Sequence, residues 1–204
     1  MLSISIQAGG QSRRMGTDKA LVQLGGLPLI EHVLKRVEGL GDEILITSNH
    51  TESLSYLGIP IVPDPIPGAG ALAGLETALH AAQGDYVLIL ACDMPFVNRK
   101  LLCHMIELAP SGDIIVPIHA GYFEPLHAIY NKECLPNIQA SLKNGQTRVI
   151  SFFDEVQVQV IDEGKIATFD PQGMSFFNIN TPEDLAFAER YLSQQSSGED
   201  ILNK

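Results

Sequence analysis

Six consecutive apolar residues, Tyr86-Val-Leu-Ile-Leu-Ala91, lie between the turn signal Gly84-Asp85 and the segment Cys92-Asp93-Met94-Pro95. A run this short and unbroken fits a central strand buried on both faces, because a half-exposed strand would alternate apolar with polar residues. Such a strand needs helices on both sides, so an α/β fold is expected. The rest of the chain agrees. Leu2, Ile4 and Ile6 alternate into Ala8-Gly9-Gly10, and 43–47, 59–62, 113–117 and 126–130 read as further strands. Pro28 opens a helix with Leu29, Ile30, Val33, Leu34 and Val37 on one face, ended by Gly39 and Gly41. A short helix runs through Leu57 to Gly58, and 75–82, 98–108 and 131–142 supply more. Residues 156–161 alternate as an edge strand should, and 176–180 read as a strand end. Thr181, Pro182 and Asp184 then suit the N-cap, N1 and N3 positions of a last helix.

Strands alternating with helices imply a Rossmann-like, mostly parallel sheet sandwiched by helices, with a small antiparallel addition near the end. At 204 residues one domain is expected, residues 1–192, followed by a polar, frayed tail over 193–204. No apolar run reaches the ~20 residues that span a bilayer. Cys92, Cys103 and Cys134 lack C-x-x-C spacing, and an odd number suits a reducing compartment, so a cytoplasmic protein that does not engage membranes is expected. A formal charge of −11 argues against general nucleic-acid binding, which rests on neutralising many phosphates.

Against that acidic background, three of the 13 Lys and Arg residues, Arg13, Arg14 and Lys19, fall in one short stretch beside Gly9, Gly10 and Gly16. A glycine turn after a strand lets backbone N–H groups approach a ligand, and with nearby cations it makes a polyphosphate cradle. The stretch has neither the G-K-[ST] of a Walker A loop nor G-x-G-x-x-G. Asp93, at the tip of the central strand, is placed to hold Mg²⁺, with capping of the next helix as its plain alternative. Asp64 is delivered to the same edge if the sheet is parallel. His127 reads as a satisfied structural residue.

The stretch Ile6-Gln7-Ala8-Gly9-Gly10-Gln11-Ser12-Arg13-Arg14-Met15-Gly16-Thr17-Asp18-Lys19 resembles the signature L-A-[GA]-G-x-S-x-R-M-G-x-x-K of nucleotidyltransferases with a glycosyltransferase-A-like fold. With two glycines after the alanine it is most similar to the molybdenum cofactor guanylyltransferase family. Cys92-Asp93-Met94-Pro95 resembles that family's C-D-x-P, and 176–185 its F-x-N-x-N-T-P-E-[DE]-L. Pro125 to Tyr130 is similar to a P-L-H-A-x-Y found in relatives, and Leu72-Ala73-Gly74 ends a segment that in them closes over the nucleotide. Gln7 stands where the family usually has Leu, and Ala71 where it has Pro.

The resemblance implies transfer of GMP from GTP to the terminal phosphate of molybdopterin, with or without molybdenum, using Mg²⁺ and releasing pyrophosphate. It assigns Arg14, Lys19 and Asp93 to catalysis; Gln7, Ala8, Gly9 and Gly10, through their backbone, with Lys19, Asp64 and Asp93 to GTP; Asp93 and Asn180 to the metal; and Asn178 and Glu124 to the acceptor. Molybdoenzyme-assembly proteins are the implied partners. A cytidylyltransferase acting on the same pterin or a related phosphate acceptor is the alternative. Those relatives show A-A-G at Ala8-Gly9-Gly10, and the extra methyl would crowd a purine. A non-catalytic nucleotide-binding accessory module is the reading from another class; it would be expected to lose Asp93 or Lys19.

Overall fold

The computed structural model describes residues 1–9, 18–65 and 68–202, with side chains to residue 195. Gly10 and Arg14, two of the implied site residues, lie outside the described residues. Strand β1 (Leu2–Gln7) leads, past the loop, to a 3-10 turn at Lys19–Leu21 and a hairpin of β2 (Gln23–Leu24) and β3 (Leu27–Pro28). Gly25 and Gly26 turn that hairpin with φ of 58° and 79°, the left-handed pair that a two-residue connection requires. Helix α1 (Leu29–Val37), β4 (Glu43–Thr47), α2 (Thr51–Leu54) and β5 (Ile61–Val62) follow. Next come α3 (Ala71–Ala81), β6 (Tyr86–Ala91), α4 (Arg99–Leu108), β7 (Ile114–His119), β8 (Tyr122–Phe123) and β9 (His127–Asn131). Helix α5 (Leu135–Lys143), β10 (Val158–Ile161), α6 (Glu163–Ala167) and α7 (Pro182–Leu202) complete the chain.

The main sheet runs β10-β7-β9-β6-β1-β4-β5, with β8 paired to β7. Strands β6, β1, β4 and β5 are parallel neighbours, and β10 is parallel to β7. The expected antiparallel addition near the end is not found there. The antiparallel strands are β9, wedged between β6 and β7, and the short β8 on β7, while the late edge strand β10 is parallel. His127, Ala128, Ile129 and Tyr130 are all buried, so β9 has the two-sided burial of a central strand and suits an interior place.

Apolar residues fill both faces. Ile4, Ile6, Leu88 and Leu90 pack with Ile30 and Val33 of α1 and Leu101, Leu102 and Met105 of α4. Leu45, Val87 and Ile89 pack on the opposite face with Leu72, Leu75 and Leu79 of α3 and Ile138 of α5. The β1 residues alternating with Leu2, Ile4 and Ile6, namely Ser3 and Ser5, are fully buried on the α3 side, where Ser3 donates to Glu43 (2.6 Å) and Ser5 bonds Thr47 (3.2 Å).

Three local expectations are corrected. Helix α3 begins at Ala71 rather than Leu75, so Leu72-Ala73-Gly74 is its first turn instead of loop. Residues 176–180 pair with no strand among the described residues; a 3-10 turn at Met174–Phe176 runs into an extended stretch held by the Ile179 amide on the Asp93 carbonyl (3.0 Å). Residues 193–202 of the expected frayed tail are helical, as α7 continues to Leu202.

Candidate active site

Strands β4 and β5 lie on one side of β1, and the chain then returns to place β6 on the other. The boundary between β1 and β6 is thus a topological switch point, the place where open α/β sheets form a ligand crevice beyond the strands' carboxyl ends. The loop after β1 brings Lys19 to that crevice and the loop after β6 brings Asp93.

The Lys19 ammonium donates to the Asp93 carboxylate and to the Asn180 side-chain oxygen (2.5 Å). Each partner is fixed locally. The Asp18 carboxylate accepts the Ala20 amide (3.1 Å) and caps the turn that starts at Lys19. The Cys92 amide donates to the Gln7 carbonyl (3.1 Å), tying Asp93's turn to β1. Asp184 accepts the amides of Asn180 (2.9 Å) and Thr181 (2.8 Å), while its own amide donates to Thr181 Oγ1 (3.1 Å). That reciprocal cap fixes the residue carrying the Asn180 amide, and the Asn180 N–H holds the Asp184 carboxyl below its ordinary range. Asp93 is not the cap of α4. Asn98 fills that role, accepting from Lys100 (2.9 Å) and Leu101 (3.1 Å), which leaves the Asp93 carboxylate for a cation.

Two hard oxygens from different segments therefore share one cation, an ammonium. Among the described residues no three His, Cys, Asp or Glu side chains gather as a metal cluster. The donor set suits Mg²⁺, which is held by one or two carboxylates with substrate phosphates, better than a metal needing an all-protein cage. Cys92, beside Asp93, is no nucleophile, because burial and then the Asp93 carboxylate push its thiol well above the usual range.

Next to this cluster lies a cavity of about 420 Å³, lined by Gln7, Gly9, Asn49, His50, Asp64, Gly74, Leu126 and residues 68–71. Asp64 Oδ1 is buried with no hydrogen-bond partner among the described residues. The Gln7 side chain enters the cavity, and its Nε2 donates to the Gly74 carbonyl (3.3 Å). The backbone of Ala8 is less open than the sequence implies. The Ala8 amide donates to the Thr47 carbonyl (2.9 Å), and the Ala8 carbonyl accepts from Ser48 (3.1 Å). A Cβ on Gly9 would lie 3.6 Å from Asp64 Oδ2, so the missing methyl leaves room at the cavity wall. Asn49 and His50 line this cavity unforeseen; the signal was their place just after β4, on the ligand-binding edge of a parallel sheet.

The acceptor-side residues are less concentrated. Among the described residues, neither Asn178 nor Glu124 bonds Lys19, Asp93 or Asn180. The Asn178 amide donates to the Phe176 carbonyl (3.3 Å), a local contact. Partial burial pushes the Glu124 carboxyl up to about 7. His127 is fully buried against Phe176, with both ring nitrogens lacking a partner among the described residues, so it is not the satisfied residue expected. Burial lowers its pKa to about 4 and holds the ring neutral.

A family model for a MobA-like NTP transferase domain matches residues 4–159. A probable molybdenum cofactor guanylyltransferase of Pelotomaculum thermopropionicum is 37% identical, the match covering 94% of this chain and 93% of the relative. The molybdenum cofactor guanylyltransferase of Vibrio cholerae is 33% identical, over 89% and 88%. Among solved structures, molybdopterin-guanine dinucleotide biosynthesis protein A from Archaeoglobus fulgidus superposes with a TM-score of 0.81 at 29% identity, covering 94% of this chain and 99% of its own. These likenesses span both Lys19 and Asp93, which meet at the switch point, and the chain belongs to the MobA-like NTP transferase family.

Proposed function

We propose that the protein transfers GMP from GTP to the terminal phosphate of molybdopterin, forming the guanine dinucleotide cofactor and pyrophosphate. The observation that carries this reading is the convergence of Lys19, Asp93 and Asn180 beside a cavity with an unpaired carboxylate. An acceptor phosphate oxygen attacks the α-phosphorus, the bond from that phosphorus to the oxygen bridging to the β-phosphorus breaks, and pyrophosphate leaves with that electron pair. No protein nucleophile is needed, so catalysis is positioning and charge neutralisation. Relatives named for guanylyl transfer favour GTP over the CTP alternative.

Asp93 and Asn180 would hold Mg²⁺, which when bound neutralises charge on the phosphates. Lys19 then turns from those two oxygens to the triphosphate and, with Arg14, stabilises the departing pyrophosphate. Asp64 accepts donors of the nucleoside, with Gly9 beside it at the cavity wall, and the backbone of Gly10 is assigned to the same nucleotide by the family signature. Glu124 and Asn178 serve the acceptor side. Three unpaired thiols suit the reducing cytoplasm, where cofactor assembly proteins would deliver and receive the pterin.

The test is a Mg²⁺-dependent assay with purified protein, molybdopterin and α-labelled GTP or CTP in parallel. Label entering the pterin from GTP, with pyrophosphate released, is expected. Transfer from CTP alone would move the protein to the cytidylyl reading. Tight GTP binding without transfer would make it an accessory module.

A further inference from the structure

We propose that Gln7 is a base-reading residue: its side-chain oxygen, together with Asp64, accepts the hydrogens of guanine's exocyclic amino group and so selects GTP. The proposal rests on the guanylyltransferase reading and names the specificity element of that site.

Strand β1 alternates Leu2-Ser3-Ile4-Ser5-Ile6-Gln7, and its polar row faces α3. Ser3 and Ser5 are occupied by Glu43 and Thr47, as described. Gln7, the third member, reaches the open carboxyl edge of the sheet and enters the cavity. The Gly74 carbonyl can only accept, so its contact with the amide fixes the Gln7 nitrogen toward α3 and leaves the oxygen as the group presented to the cavity. Across from it stands Asp64, whose buried Oδ1 lacks a donor.

Gly74 keeps the space between them open. A Cβ there would lie 2.9 Å from Gln7 Oε1 and 3.8 and 3.9 Å from the two Asp64 oxygens. Glycine is a poor helix residue, yet it occupies the first turn of α3 at the point where any side chain would fill this slot. The result is a slot flanked by two acceptor oxygens, the Gln7 nitrogen being turned to the Gly74 carbonyl. Guanine offers adjacent donors, N1–H and the 2-amino group. Adenine and cytosine place a ring acceptor next to their amino group, which would face an oxygen unpaired. A ligand that leaves buried acceptors unsatisfied is rejected more strongly than one that merely lacks a contact.

The experiment measures dissociation constants of GTP and ITP for the wild type, Gln7→Met and Gln7→Leu, with thermal melts to establish folding. Inosine keeps N1–H and lacks the amino group. Both variants should weaken GTP roughly five- to tenfold, the worth of one hydrogen bond, and leave ITP within about twofold, so that the GTP preference collapses. Unchanged GTP affinity in the folded variants, or an equal loss for both nucleotides, overturns the proposal while leaving guanylyl transfer intact. A wild type that neither binds nor transfers GTP overturns the guanylyltransferase reading and this inference with it.

Discussion

Gly74→Ala separates what α3 needs from what the cavity needs. Alanine in place of glycine within a helix favours folding by about 1 kcal/mol. Against that, the new Cβ would sit 2.9 Å from Gln7 Oε1, the end of a flexible side chain that can swing aside with loss of its 3.3 Å bond to the Gly74 carbonyl. A weak bond of that kind contributes about 0.5–1 kcal/mol, so the two effects nearly cancel. For a chain of this size about 1 kcal/mol moves Tm by roughly 2–4 °C, and the variant should melt within about 2 °C of the wild type. Binding is different. The methyl would lie 3.8 and 3.9 Å from the Asp64 oxygens, where a ligand donor has to reach them. Loss of a hydrogen bond to a charged acceptor costs about 1.5–3 kcal/mol, a rise in GTP dissociation constant of roughly 10- to 150-fold. Calorimetric titration with GTP and a thermal melt on the same sample check both halves. Unchanged GTP affinity would remove the nucleobase from this slot, and a Tm lowered by many degrees would make Gly74 a packing glycine.

Replacing Lys19 by Met removes the cation shared by Asp93 and Asn180; turnover should fall roughly 10²–10³-fold, as for loss of one transition-state stabiliser, with the circular dichroism spectrum unchanged. Glu124 has a pKa raised from 4.5 to about 7, so the folded state favours its neutral form and stability declines as pH rises across that window, then levels above it. Because the carboxyl is only half-buried, the effect is on the order of 1 kcal/mol after solvent screening. Glu124→Gln should abolish that decline, and melts from pH 4.5 to 8 in which the two proteins run parallel would show that Glu124 is not desolvated.

What the sequence made legible follows from how local each signal is. The unbroken apolar run of β6 marked the sheet's interior, the turn after it placed Asp93 at the crevice, and Thr181 with Asp184 announced the cap of α7, because each signal lies within a few residues of its consequence. The direction of β9 was not legible. A doubly buried strand has the same composition whether parallel or antiparallel, and only its pairing with β6 and β7 decides. Gly74 was read as loop because glycine lowers helix propensity and glycines precede it; the helix forms regardless, with Leu72, Leu75 and Leu79 buried against the sheet.

Gln7 shows the same limit at the site. Its parity on β1 could have been read from Ser3 and Ser5, but what it faces is set by Asp64 after β5 and Gly74 in α3, which no local pattern joins to it. Each of these three residues breaks a local expectation: a polar side chain ending a buried strand, a glycine inside a helix, and a buried carboxylate oxygen with no donor among the described residues. Separately each is unfavourable to folding. Natural sequences keep such exceptions where function needs them, and here these three border one slot. A purine's donor edge in that slot would satisfy the carboxylate, engage the amide oxygen and occupy the space the glycine leaves, so one ligand accounts for all three departures together.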